Sequence, residues 1–103
     1  MKTIKYPRAA SLPDLPLTWR DRNGAVLDLT TATLRCKIGV AGQAATKIIT
    51  SVNGYNFAPN VIVQFAVGDL DITEGNYQLV VEGTISGRTR KAVWPLIIEP
   101  VVN

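Results

Sequence analysis

The stretch "NYQLVVEGTISGRTRKAVWPLIIE", residues 76–99, decides the fold. In its first half Tyr77, Leu79, Val81 and Ile85 fall on one face, and Asn76, Gln78, Glu82 and Thr84 on the other. Period two is the spacing of a strand with one face in a core. Ser86-Gly87-Arg88 then interrupts with turn residues. From Thr89 to Glu99 the alternation resumes, with Ala92, Trp94, Leu96 and Ile98 on the apolar face. Two strands around a short turn predict an antiparallel hairpin. Pro95 lies inside the second strand. It has no N–H for a ladder, so it predicts an edge or a bulge there.

The same alternation runs back towards the N-terminus. Ala32, Leu34, Cys36, Ile38 and Val40 alternate with Thr33, Arg35, Lys37 and Gly39, and Ala41-Gly42-Gln43-Ala44 breaks that strand. A strand over about residues 46–52 follows and ends at Asn53-Gly54, which reads as a turn. Tyr55 to Asn60 reads as a loop containing Pro59. Val61, Val63 and Phe65 alternate with Ile62, Gln64 and Ala66, which predicts a strand covered on both faces. Earlier, Leu15, Leu17 and Trp19 share a face, and Pro13 and Pro16 place them on a sheet edge. Asp21-Arg22-Asn23-Gly24 predicts a tight turn, followed by a short return strand with Ala25, Leu27 and Leu29 on one face.

No segment carries the i, i+3, i+4, i+7 apolar stripe of a helix. Short strands at regular spacing, with turn residues between them, predict an all-β fold. The expected architecture is a single immunoglobulin-like β-sandwich of about seven short antiparallel strands over residues 13–103, with an extended N-terminal arm over residues 1–12. The arm has no periodicity and is ordered only if something holds it.

At 103 residues the chain has room for one domain. A domain of this size buries only about two-thirds of its unfolded surface, so its stability is modest unless something adds to it. An internal disulfide cannot, because Cys36 is the only cysteine, and with no histidine a Cys/His metal site is not expected. Association with other chains remains. No apolar run approaches the roughly 20 residues of a membrane span. Met1 to Leu12 has no apolar core of a secretory signal. The net charge of +3 is mild. Lys2, Lys5 and Arg8 form one basic group and Arg88, Arg90 and Lys91 another, but neither is dense or interleaved with aromatics as nucleic-acid binding requires. These groups read either as solvated charges or as contacts to an acidic partner surface.

Chemistry-bearing constellations are missing. Without histidine there is no Ser/His/Asp or Cys/His nucleophile. Cys36 reads as a small buried hydrophobe, with Arg35 and Lys37 on the opposite face. Asp69, Asp71 and Glu74 are the best acidic cluster, but Leu70 and Ile72 alternate with them, as in a segment that packs its apolar residues inward. No glycine belongs to a phosphate-binding motif. No catalytic residue, cofactor or metal site is therefore expected. Trp19 and Trp94 fall on apolar strand faces and are predicted core residues. A carbohydrate-binding module would instead expose them. Tyr77, at the start of a strand, is placed to tie the preceding turn with its hydroxyl, as in a tyrosine corner. Tyr6 and Tyr55 are expected in loops. With Lys2, Lys5, Arg8, Arg20 and Arg22 they are the candidate partner-binding residues.

"LTWRDRNGAVLDLTTATLRCKI", residues 17–38, resembles the opening of the immunoglobulin-like N-terminal domain of tailed-bacteriophage upper baseplate and tail proteins. The match is an apolar strand, the turn Asp21 to Gly24, and the segment Val26 to Thr33 before the first long strand. "DLDITEGNYQLVVEG", residues 69–83, matches the acidic turn, Gly-x-Tyr and long strand that follow in such domains. The resemblance covers Leu15 to Ile98. It implies a non-enzymatic virion structural protein, made in the host cytoplasm, that docks other virion proteins through its sheet edges and N-terminal arm and forms rings or trimers; the composition assigns no role to nucleic acid or membrane. Tail or baseplate adaptor is the expected role. Capsid decoration and head stabilisation, or binding of a carbohydrate or cell surface, are the alternatives.

Overall fold

The computed structural model describes residues 3–7, 14–66, 69–70 and 72–100. The described residues are all-β and form eight strands in two sheets. They are β1 (Ile4–Pro7), β2 (Leu15–Leu17), β3 (Thr33–Gly39), β4 (Lys47–Ile49), β5 (Val52–Gly54), β6 (Val61–Val63), β7 (Gly75–Ile85) and β8 (Arg88–Glu99). One sheet has the order β1-β8-β7-β3-β4, the other β2-β6-β5.

The β7–β8 hairpin is the frame. Ser86 and Gly87 both have positive φ (52° and 79°), the backbone that lets two residues close a hairpin in register with strand twist. Ile85 pairs with Arg88 across the turn, and the ladder continues to Gly75 opposite Ile98. β3 pairs with β7 from Thr33 opposite Thr84 to Gly39 opposite Gln78. This puts Leu34, Cys36, Ile38, Leu79, Val81, Trp94, Leu96 and Ile98 on one buried face. Leu15, Leu17, Val61 and Val63 belong to the same core from the smaller sheet, along with Leu29, Leu70 and Ile72 from the connections. Both tryptophans are core residues, as the alternation predicts.

Several expectations change. The described residues hold eight strands rather than about seven, and the strands are not all antiparallel: β1 pairs parallel with β8, from Ile4 opposite Leu96 to Pro7 opposite Glu99. Residues 4–7 of the expected arm are thus held in the larger sheet by β8, and the rest of residues 1–12, apart from Thr3, lies outside the described residues. The strand expected over 46–52 is two strands. The chain leaves the larger sheet after Ile49 and enters the smaller at Val52.

Gly54 makes no turn. It is a β5 residue, and a Cβ there would collide with the Leu29 carbonyl oxygen and lie 2.8 Å from Leu29 Cβ and 2.9 Å from Leu34 Cδ1. Its glycine serves close approach, not positive φ. Residues 25–29 form no strand. A single bridge joins Arg20 to Val26, and Leu29 N–H donates to the Tyr55 carbonyl instead. Ile62 in β6 is half-exposed, so that strand is fully covered on one face only. Val40, counted with the core of its strand, is exposed.

The prolines separate into two cases. Pro16 lies on β2, an edge strand, as expected. Pro95 does not, because β8 runs between β1 and β7. The two-residue turn makes Ile85–Arg88 a hydrogen-bonded pair, and strict alternation makes Gln78–Pro95 a non-hydrogen-bonded one. The Pro95 nitrogen therefore turns away from β7, and on that other side β1 begins pairing only at Leu96. The sheet accommodates the proline without a bulge.

Candidate interaction groove and charged sheet face

A groove of about 920 Å³ opens between the two sheets where β1, β2 and β8 approach one another. Leu15, Leu17, Trp19, Ala92 and Trp94 supply its apolar side. Arg20 supplies its charge; Lys5 and Lys91 also line it, but alternation turns their side chains towards the outer face, where Lys91 meets Glu82, and no lining residue is acidic. Trp19, Arg20 and Lys91 also line an adjoining cleft, which adds Arg22 and Arg90 and the single acid Asp21.

The cations around Trp19 are set by local structure. The turn after Arg20 is built on Asp21: its carboxylate accepts the N–H groups of Asn23 (2.8 Å) and Ala25 (3.0 Å), and Gly24 takes φ of 86°. Arg20 donates one guanidinium N–H to the Gly24 carbonyl at 2.9 Å. Among the described residues no carboxylate is ion-paired with Arg20, Arg22 or Arg90. Behind Trp19 the loop is fixed by Asn60, which is fully buried. Its Oδ1 accepts the Trp19 N–H at 2.7 Å, and its Nδ2 donates to the carbonyls of Trp19 and Leu27, both at 2.9 Å. One side chain thus does for residues 19–27 what a neighbouring strand would do.

The outer face of the larger sheet carries a different cluster. Glu82, on β7, receives Lys37 (2.9 Å) and Arg35 (3.1 Å) from β3 and Lys91 (3.5 Å) from β8. Among these cations its side chain is only 8% exposed. The Lys37 hydrogen bond holds the Glu82 carboxyl below the usual carboxylate range. The charges of Lys37, Arg35 and Lys91 add to this, and burial opposes it. A carboxyl depressed by folding stabilises the fold at pH above its unfolded value, and that contribution is lost as pH falls through the folded value. Thermal unfolding followed from pH 7 downwards is expected to show a midpoint that drops below about pH 4. The Glu82→Gln variant should start lower and lose part of that dependence. An unchanged acid limb in the variant would contradict the assignment.

Cys36 is fully buried, and burial pushes its thiol up to about 12. Arg35 and Lys37 face the other side of the sheet, towards Glu82. Asp69 accepts the Ala66 N–H at 2.7 Å, Leu70 and Ile72 are buried, and Asp71 lies outside the described residues. Among the described residues no three potential metal-ligating side chains of the His, Cys, Asp and Glu types gather. No helix among them is long and apolar enough to cross a membrane.

The candidate partner-binding residues divide. Lys5, Tyr6 and Arg20 meet in the groove, and Arg22 lines the adjoining cleft. Tyr6 is not in a loop: it sits on β1, half-buried, its ring edge-on to Phe65 at 5.9 Å. Tyr55 does not line the groove. It is exposed beside Phe57, with ring centroids 5.5 Å apart and planes tilted by 40°. Lys2 and Arg8 lie outside the described residues. In the sequence Arg90 and Lys91 stand out only as part of a basic group. Their meeting with Arg20 depends on a contact between the sheets, for which spacing along the chain carries no signal.

No protein-family model matches this chain, and neither does any curated protein or solved structure at significant similarity. The functional reading therefore rests on the chain's own residues.

Proposed function

We propose that this chain is a non-enzymatic structural protein of a tailed-bacteriophage virion, an adaptor of the tail or baseplate that joins neighbouring subunits. The observation that carries the reading is the groove. It is an apolar, cation-rimmed recess bordered by strand edges, and it is built for a macromolecular neighbour rather than for a reaction. Leu17 to Arg20, at the start of the stretch 17–38 whose pattern resembles the baseplate domains, line one wall of it.

The strand order supports the immunoglobulin-like form of the sandwich. Such domains set strands B, E and D against C, F and G, with C′ added beside C. Here β2, β6 and β5 have the places of the first group, and β3, β7, β8 and β4 those of the second. Tyr77, at the start of β7, donates its hydroxyl proton to the Thr73 carbonyl four residues upstream, as in a tyrosine corner.

Carbohydrate recognition through the tryptophans has no support, because Trp19 and Trp94 are only 8% and 6% exposed. The proposed partners are other virion proteins and further copies of this chain in a ring or trimer. An antibody raised against the chain tests the reading on particles purified from a phage that carries its gene. The expected result is a band at many copies per particle. Particles that lack the chain altogether would overturn it.

A further inference from the structure

The two strands that border the groove differ in what they offer a newcomer. β2 is three residues long, and Pro16 removes one donor from it. β8 is twelve residues long, and among the described residues β1 covers its second side only from Leu96 to Glu99. The alternation set by the Ile85–Arg88 pair turns the backbone N–H and C=O groups of Thr89, Lys91 and Val93 away from β7, towards that open side. Three donors and three acceptors at strand spacing are a template for one more strand.

The surroundings define what that strand carries. Towards the core, a side chain of the incoming strand meets the apolar side of the groove at Trp19, Ala92 and Trp94. At the rim and in the adjoining cleft it meets Arg20, Arg22 and Arg90 against the single Asp21, whose carboxylate is already spent on the turn. Lys91 is shared with Glu82 at 3.5 Å, whereas the three arginines have no ion-paired carboxylate among the described residues. Arginine is the side chain best suited to paired hydrogen bonds with a carboxylate.

We infer that the open edge of β8 accepts an extended segment of a partner protein as an added strand, one whose side chains alternate between apolar residues and aspartate or glutamate. This rests on the adaptor reading and names the chemistry of its partner. An acidic strand gains both the backbone ladder and the arginines. A basic one meets like charge, so the edge selects its partner by repulsion as well as attraction.

The probe is a capped peptide of alternating valine and glutamate, with a valine–lysine peptide and a scrambled acidic peptide as controls. Binding is followed by tryptophan fluorescence and by amide hydrogen exchange on the full chain. The expected result is saturable binding of the valine–glutamate peptide alone. It should weaken at least tenfold in Arg20→Glu and again in 0.5 M salt, with new protection at Lys91 and Val93. Because Arg20→Glu also alters the turn, Arg90→Glu serves as a second variant, and circular dichroism checks the fold of both. Equal binding of the lysine peptide, unchanged affinity in both variants, or edge amides already protected in the free chain would overturn the inference. In particles the two proposals separate. A chain that is present in virions and incorporates normally as Arg90→Glu keeps the adaptor reading and sinks this one. A chain absent from virions that still binds the peptide does the reverse.

Discussion

Gly54→Ala is expected to destabilise the protein by about 3 kcal/mol, the upper end of what overpacking a tight site costs. The added methyl meets the Leu29 carbonyl oxygen first, and behind it Leu29 Cβ at 2.8 Å and Leu34 Cδ1 at 2.9 Å. Neither side can retreat cheaply. Leu29 is held by its N–H on the Tyr55 carbonyl, and both leucines are buried. For a domain of this length the loss corresponds to a fall of roughly 15 °C in Tm. Thermal unfolding followed by circular dichroism measures it. The control is Gly24→Ala, where nothing lies within 4 Å and the cost comes only from the positive φ of 86°. That variant should lose about 1 kcal/mol. Equal losses at the two positions would contradict the close-approach account of Gly54.

Asn60→Ala is the second large effect, and its cause is polar. The buried Trp19 N–H and the half-buried Leu27 carbonyl lose their partner, while the Trp19 carbonyl keeps a bond from the Leu27 N–H at 3.1 Å. Two orphaned backbone groups at about 1–3 kcal/mol each bring the expected loss to about 3 kcal/mol. Asn60→Asp sharpens the test. It keeps an acceptor for the Trp19 N–H but turns a carboxylate oxygen towards the carbonyls of Trp19 and Leu27, where the native side chain presents an N–H₂. It is expected to be no more stable than the alanine variant at pH 7 and to recover partly in acid, where a protonated oxygen donates again. Full stability of Asn60→Asp at neutral pH would contradict the assigned amide orientation. Because Asn60 anchors the Trp19 loop, both variants should also weaken whatever binds the groove.

The sequence and the structure agree where one strand's periodicity carries the information. The inward faces of β3, β7 and β8 are readable as Leu34, Cys36, Ile38, then Leu79 and Val81, then Trp94, Leu96 and Ile98, because burial follows alternation within each strand. The Ser86-Gly87 turn and the Asp21–Gly24 turn are readable because their residues adopt unusual φ or accept local hydrogen bonds. What escapes is set between strands. Asn53-Gly54 has turn chemistry by composition, yet a core contact 25 residues earlier in the chain puts the glycine in a strand. The strand expected through Thr50 and Ser51 divides between the sheets, which period two along one chain cannot reveal.

The candidate site follows the same rule. Lys5, Tyr6, Arg20 and Arg22 can be named from the sequence as candidates, but their convergence with Arg90 and Lys91 cannot. It is produced by the parallel pairing of β1 on β8 and by Trp19 lying 3.2 Å from where a Gly83 Cβ would stand. Asn60 gave no signal at all: a polar residue after a proline reads as loop, and only the fold makes it a core hydrogen-bond hub.

The central claim is that the groove between β1, β2 and β8 joins this chain to its neighbours in a particle. The measurement that tests it most directly is quantitative immunodetection of the Arg20→Glu/Arg90→Glu variant in purified particles, with Tm measured on the isolated protein to establish that it folds. The expected result is a folded variant, within a few degrees of the parent in Tm, whose incorporation falls at least tenfold. A folded variant that enters particles at the parent's level would contradict it.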